Sequence, residues 1–155
     1  MNREELLEGM DIERILFGTF FAFNNRLQTA GDAFYDEITC KQFFTLICIS
    51  LFKEEPPTIN QLAEVMGSSH QNVKQLVLKL ERNGFVTTQK DKEDKRKLRV
   101  RMTVKMLSFG KKYESREKEF MERFYEGVSP SEIATVYRVI SRIETNLIKI
   151  REEYE

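Results

Sequence analysis

At 155 residues, with 41% hydrophobic and 32% charged side chains, the chain is sized for one compact domain or a small domain with helical arms. It has no low-complexity tract, and 3 prolines with 7 glycines favour long helices over many short strands, so a folded soluble protein is expected. The 25 basic and 25 acidic residues cancel, but unevenly: residues 1–67 carry net −6, residues 68–103 net +6, and residues 104–155 net zero. A basic centre in a neutral chain is either a phosphate-binding surface or a solvated charged loop.

The N-terminus lacks the basic region of a signal peptide. The most apolar run, Ile15 to Phe23, is about half the length needed to span a bilayer. With two cysteines, these features predict a cytoplasmic protein without a membrane segment.

In chain order, Leu6, Met10, Leu16, Phe20, Phe23 and Leu27 recur at three- to six-residue steps and predict a helix from Glu4 to about Ala30, broken at Gly31-Asp32. Thr39 and Gln42 form a capping box that opens a second helix, apolar almost all round and therefore a buried centre, which Pro56-Pro57 stops. Thr58 and Gln61 repeat the box for a short helix ended by Gly67. Ser69 caps the next helix, which runs to Asn83 before Gly84. Two helices joined by a short Gly-containing turn have helix-turn-helix spacing.

After Gly84 the period changes to two. Phe85–Lys90 and Leu98–Met102 predict a hairpin whose tip is the charged run Asp91–Lys97, a wing beside the helix-turn-helix. Thr103 is placed to cap a long helix to about Tyr125, with Gly127 behind it. Ser129-Pro130-Ser131-Glu132 is a strong start for a last helix. That helix carries Ile133, Val136, Ile140, Ile143, Leu147 and Ile150 at alternating steps of three and four, a heptad stripe better explained by coiled pairing than by a lone core helix. The expected fold is mainly α with a small β-wing: a winged helix-turn-helix over 36–103, with dimerisation helices at 1–30 and 104–155.

At about 100° per residue, Val73, Leu76, Val77 and Leu80 share one face of the fourth helix. Gln71, Gln75, Leu78 and Arg82 centre on the other, flanked by Asn72, Lys74 and Lys79. Gln and Asn can bond adenine edges, while Lys reaches guanine or phosphate; ordinary surface residues would look similar. Ser69 and His70 at the helix start complete the candidate contacts. The wing adds Lys90, Lys92, Lys95, Arg96, Lys97, Arg99 and Arg101, suited to the phosphate backbone and to a narrow minor groove.

These residues carry a resemblance. Gln61-Leu62-Ala63-Glu64-Val65-Met66-Gly67, the pattern Val73, Leu76-Val77, Leu80-Glu81, Gly84-Phe85-Val86, then Asp94-x-Arg96 and Val100-x-Met102-Thr103 resemble the MarR (multiple antibiotic resistance regulator) family over about residues 39–106. The resemblance implies a homodimer built from the first, fifth and sixth helices, with each winged helix on double-stranded DNA. It implies that Asp94 braces the wing while Arg96 reaches the minor groove. It also implies a small-molecule effector, with Phe20, Phe23, Phe43 and Tyr113 as candidate pocket residues that are equally plausible as core. Leu78, Thr87-Thr88 and Met106 depart from the family pattern.

No catalytic centre, cofactor or metal is expected: His70 is the single histidine, and no Gly-rich phosphate loop occurs. Cys40 and Cys48 lie roughly 12 Å apart by helical rise, too far to pair. Cys48 reads as core, and Cys40, at a helix N-terminus, has a setting that lowers a thiol pKa. A winged-helix protein-interaction module, with Leu78 as its hint, is the rival reading, and a double-stranded RNA binder the third.

Overall fold

The computed structural model describes residue 5 and residues 7–154. The expected start of the first helix at Glu4, and Leu6 in its stripe, lie outside the described residues. In chain order the structure has helices α1 (Ile12–Phe34), α2 (Cys40–Ser50), α3 (Ile59–Val65) and α4 (His70–Arg82), strands β1 (Val86–Lys90) and β2 (Leu98–Met102), and helices α5 (Val104–Phe124) and α6 (Pro130–Tyr154). It divides into two compact units, residues 1–107 and 108–155.

Local chemistry accounts for most of the boundaries in the first unit. The Thr39 hydroxyl accepts from the Gln42 amide while Gln42 Oε1 accepts from the Thr39 amide, and Thr58 with Gln61 repeats the reciprocal pair at α3. Each pair satisfies two of the donors that a helix start leaves without partners. Ser69 caps α4 by accepting from the Asn72 amide at 3.2 Å. The ends of α3 and α4 are alike. Gly67 (φ 59°) and Gly84 (φ 75°) take the left-handed conformation, and the next amides, Ser68 and Phe85, donate back to Ala63 and Leu80 carbonyls. Glycine reaches that conformation without the steric cost of a Cβ.

The core of this unit joins Leu46 and Ile49 of α2, Ile59 and Leu62 of α3, and Val73, Val77 and Leu80 of α4 to Phe85, Val86 and Val100 of the hairpin, all buried. β1 and β2 pair antiparallel from Val86↔Met102 to Lys90↔Leu98. The Val100 amide donates to the Pro57 carbonyl at 2.9 Å, and Arg99 forms a bridge with Thr58, so the hairpin is sewn to the segment leading into α3.

Four expectations are corrected. Glu5 and Leu7 are helical, a turn at Glu8-Gly9 interrupts the expected single helix, and α1 then runs from Ile12 through Gly31 to Phe34. Gly31 is a contact point rather than a break: a Cβ there would meet Cys40 Sγ at 2.5 Å, so its lack of a side chain lets α1 approach the start of α2. α2 is not buried all round, because Phe44, Ile47 and Leu51 at its end are exposed. Its buried side instead includes Gln42 and Thr45, whose polar atoms are bonded at the cap and to the Lys41 carbonyl. The Thr103 hydroxyl donates to the Gly84 carbonyl at 2.6 Å and to that of Phe85 at 3.2 Å, fastening the end of β2 to the end of α4. Finally, the Cys40 thiol is not activated. Burial first, and the Asp32 carboxylate second, push its pKa up, and that carboxylate also takes the Cys40 amide at 2.7 Å.

In the second unit, Phe109 and Tyr113 are buried one helical turn apart with ring centroids at 4.6 Å. α6 starts as the sequence predicts: Ser129 Oγ accepts from the Glu132 amide, and Glu132 Oε2 accepts from the Ser129 amide at 2.8 Å. The Ser129 hydroxyl, donating to Glu132 Oε2 at 2.6 Å, and then the Ser129 amide hold the Glu132 carboxyl below its ordinary pKa. No residue of α6 is buried.

The surroundings of two glycines yield a paired prediction. Ala for Gly in a helix is worth about 1 kcal/mol by propensity alone. Gly18→Ala, with nothing within 4 Å of the new Cβ, is expected to raise the melting temperature. Gly31→Ala is expected to lower it, because overpacking costs about 1–3 kcal/mol and outweighs the gain. Thermal unfolding of both variants measures the difference; a stabilised Gly31→Ala would show that α1 and α2 are not held at this distance.

Candidate nucleic-acid interface

Helix α4 is set by its buried face. Val73, Val77 and Leu80 fall at steps of four and three and anchor it on α2 and α3, with Leu76 half-buried beside them. His70, Gln71, Asn72, Lys74, Gln75, Lys79 and Arg82 are consequently all exposed, as is the cap Ser69. Leu78 is half-buried, so the outer face carries no bare apolar patch of its own. The first turn holds no acidic residue. Its free amides and the aligned peptide dipoles favour an approaching anion.

Glu81 is the single acid in α4, and it faces the hairpin. Its Oε1 accepts from the Thr88 amide at 2.7 Å and the Thr88 hydroxyl at 2.8 Å. The departure from the family pattern at position 88 thus serves as a tie between α4 and β1. The outer face of α4 is left with amides and cations.

The wing tip is ordered by two carboxylates with different jobs. Asp94 is paired locally: its oxygens accept from Arg96 Nε at 3.1 Å and Nη2 at 3.3 Å, with Lys97 Nζ at 3.8 Å. Arg96 bonds Asp94 on one edge, yet its side chain is 91% exposed. Lys95 and Lys97 are exposed beside it. Asp91 turns inward. Its Oδ1 accepts from the Glu93 and Asp94 amides at 2.9 and 2.8 Å, an Asx turn, while Oδ2 takes Arg99 Nε in a short bond. These amides and the Arg99 guanidinium lower its pKa to about 2.

Arg99, read from sequence as one of the DNA-facing cations, is corrected here. Its side chain is 22% exposed and is engaged by Asp91, by the Pro56 carbonyl at 2.8 Å and by Glu55 at 2.9 Å. The sequence reading missed the pairing of Arg99 with Asp91. The spacing of Asp91 to the amides two and three residues on was the available signal for the turn, whereas the partner of Arg99 had none.

The structure brings the outer face of α4 and the basic hairpin into one unit. The remaining candidates are placed as follows. In the first unit, Phe20 and Phe43 are half-buried, Phe23 is half-exposed, and the Tyr35 ring lies 4.6 Å from that of Phe43. Tyr113 belongs to the second unit, with Lys112 and Arg116 over its ring. On α6, Ile133 and Ile143 are half-buried, and Val136, Ile140, Leu147 and Ile150 are exposed, Leu147 to 55%. Among the described residues no helix is long and apolar enough to cross a membrane.

Two helices crossing through a Gly turn, the second presenting a polar face, followed directly by a two-stranded basic hairpin, define a winged helix-turn-helix. Residues 38–98 match the sequence model of the MarR family. Over that stretch the chain is similar to that family. Among curated proteins, none matches the chain by sequence. Solved structures share the fold at low identity. A MarR protein from Peptoclostridium difficile matches with TM-score 0.80 at 17% identity, covering 96% of this chain and 95% of that one. The MepR–DNA complex of S. aureus matches with TM-score 0.72 at 18% identity, over 83% and 95%. The PcaV transcriptional regulator of Streptomyces coelicolor, in complex with its natural ligand, matches with TM-score 0.66 at 21% identity, over 79% and 89%.

The Asp91 cluster makes wing order acid-sensitive in a defined window. A carboxyl whose folded pKa lies below its ordinary value of 3.8 contributes stability above that value and loses it as pH falls through the folded pKa, here about 2. The Glu93 and Asp94 amide resonances are therefore expected to hold their native shifts at pH 5 and to move between about pH 4 and pH 2. Unchanged shifts across that window would show that the Asp91 carboxylate does not hold the turn.

Proposed function

We propose that the chain is a cytoplasmic, sequence-specific regulator of transcription that binds double-stranded DNA as a homodimer on a near-palindromic operator. The observation that carries the reading is the outer face of α4: exposed, rich in amides and cations, and stripped of its one acid by Thr88. A helix of this kind fits the major groove, where Gln71 and Gln75 bond base edges and Asn72, Lys74 and Lys79 flank them. Ser69 and His70, at the positive end of the helix, meet phosphate. In the wing, Lys95 and Lys97 meet phosphate and Arg96 exchanges Asp94 for the minor groove, a small loss because an exposed ion pair contributes little. The DNA in the MepR complex supports this assignment by likeness of fold.

The dimer is assigned to helical arms at 1–30 and 104–155. The exposed stripe of α6, formed by Val136, Ile140, Leu147 and Ile150 with Ile133 and Ile143 beside it, supports pairing, because an apolar stripe of this length is costly to leave in water. The natural ligand in PcaV supports a small-molecule effector for this chain as well.

Two experiments test the reading. Replacing Ile140 and Leu147 together with Glu is expected to convert the dimer to monomer in light scattering and to weaken DNA binding with it; a dimer that persists removes the stripe from the interface. After selection of bound duplexes from a random pool, Gln71→Ala or Gln75→Ala is expected to relax preference at one or two positions per half-site, costing on the order of 1–3 kcal/mol. Lys95→Ala is expected to weaken specific and scrambled DNA alike and to flatten the salt dependence by about one unit. If both glutamine variants leave the specific-to-scrambled ratio untouched, α4 is not the reader, and docking to another protein becomes the better account.

A further inference from the structure

Resting on the DNA-binding reading above, we propose that Arg99 is the positioning residue of the wing: it fixes the loop carrying Lys95, Arg96 and Lys97 against the segment that leads into α3, and does not itself contact DNA.

The hairpin tip has no apolar anchor. Between Lys90 and Leu98 its residues are Asp91, Lys92, Glu93, Asp94, Lys95, Arg96 and Lys97, and a loop of that composition has nothing to bury. Its order comes from Asp91, which collects the Glu93 and Asp94 amides through one oxygen and whose own amide donates to the Lys97 carbonyl at 3.0 Å. These bonds close the loop on itself but leave it free to swing as a body. Arg99 removes that freedom. One edge of its guanidinium takes Asp91 Oδ2, and Nη1 takes the Pro56 carbonyl and the Glu55 carboxylate. Pro56 and Glu55 lie just before Thr58, the cap of α3, so the loop is referenced to the start of the helix-turn-helix. Neighbouring backbone joints, Val100 to Pro57 and Arg99 to Thr58, hold the first half of β2, whereas the loop itself is placed through the Arg99 side chain. With that side chain 22% exposed and its Nε and Nη1 donors committed, Arg99 is engaged inside the protein.

The planar fork is essential to this role. A lysine ammonium keeps the charge but lacks the planar fork that meets both acceptors at once, so it joins Asp91 to Pro56 less well. A phosphate contact, by contrast, would survive Arg99→Lys.

The test uses Arg99→Met, Arg99→Lys and Asp91→Asn, the last because Asn keeps the acceptor for the two loop amides and loses the one for Arg99. Helical circular dichroism and melting confirm that each variant is folded; if Arg99→Met fails, Asp91→Asn carries the test. All three are expected to speed amide exchange at Glu93, Asp94 and Lys97 in the protein without DNA. They are expected to weaken binding to the selected duplex on the order of tenfold, the scale for several cations leaving the phosphates at once. Combining each with Lys95→Ala decides the mechanism. Lys95→Ala lowers the salt slope by about one unit in the native background and by nothing in the Arg99 variants. Additive losses, or native affinity in Arg99→Lys, would overturn the proposal and make Arg99 a direct contact. Unchanged amide exchange overturns it alone, whereas failure of the native protein to bind any duplex overturns the functional reading and this one with it.

Discussion

Phe85 is fully buried one residue beyond the glycine that ends α4 and one residue before β1 begins. At this point the helix and the wing become one body. The Phe85 amide closes the last turn of α4 on the Leu80 carbonyl, and its own carbonyl takes the Thr103 amide at 2.9 Å. The Thr103 hydroxyl reaches the Gly84 carbonyl, and Lys105 covers the ring at 4.4 Å while donating to the Asn83 carbonyl at 3.0 Å. Three successive carbonyls at the end of α4 are thereby claimed by the residues that open α5. A helix C-terminus attracts a cation, so the ammonium is well placed as well as well bonded. Removing the Phe85 side chain would cost about 3–5 kcal/mol by cavity formation and would loosen every one of these ties.

From that junction the polar architecture follows in order of distance. Near it, Glu81 ties α4 to β1 through Thr88, and this turns its carboxylate toward the hairpin. Further out, where no apolar residue can help, Asp91 and Arg99 take over. The hairpin is thus held by hydrophobic burial at its base and by charge-assisted hydrogen bonds at its tip. The second arrangement is the more easily perturbed, because it lies close to water and depends on ionised groups.

The exposed cations and the internal ones differ by their partners rather than by their type. Arg96 and Arg99 are three residues apart, and both bond a carboxylate. Asp94 sits beside Arg96 in sequence and leaves it largely in solvent. Asp91 and the Pro56 carbonyl draw Arg99 under the loop. Charge counts over residues 68–103 cannot separate the two, and the net +6 of that segment overstates what its surface presents.

What the sequence determined by itself was everything encoded within a few residues. The reciprocal caps at Thr39, Thr58 and Ser129, the left-handed glycines 67 and 84, and the buried face of α4 follow from spacing, because the groups involved lie within about one turn of each other. The mainly helical class with a small wing was legible for the same reason. Tertiary structure decided the rest. Gly31 was read as a break because its reason for being glycine is Cys40 on another helix. The setting of Cys40 was read as one that lowers a thiol pKa because the helix start is visible in sequence, and the burial and the Asp32 carboxylate that oppose it are not. Phe44, Ile47 and Leu51 were counted as core because hydrophobicity reports only that a residue avoids water, not which neighbour covers it. Arg99 meets Pro56 across 43 residues of chain, and no local pattern specifies a partner that only folding brings within hydrogen-bond reach.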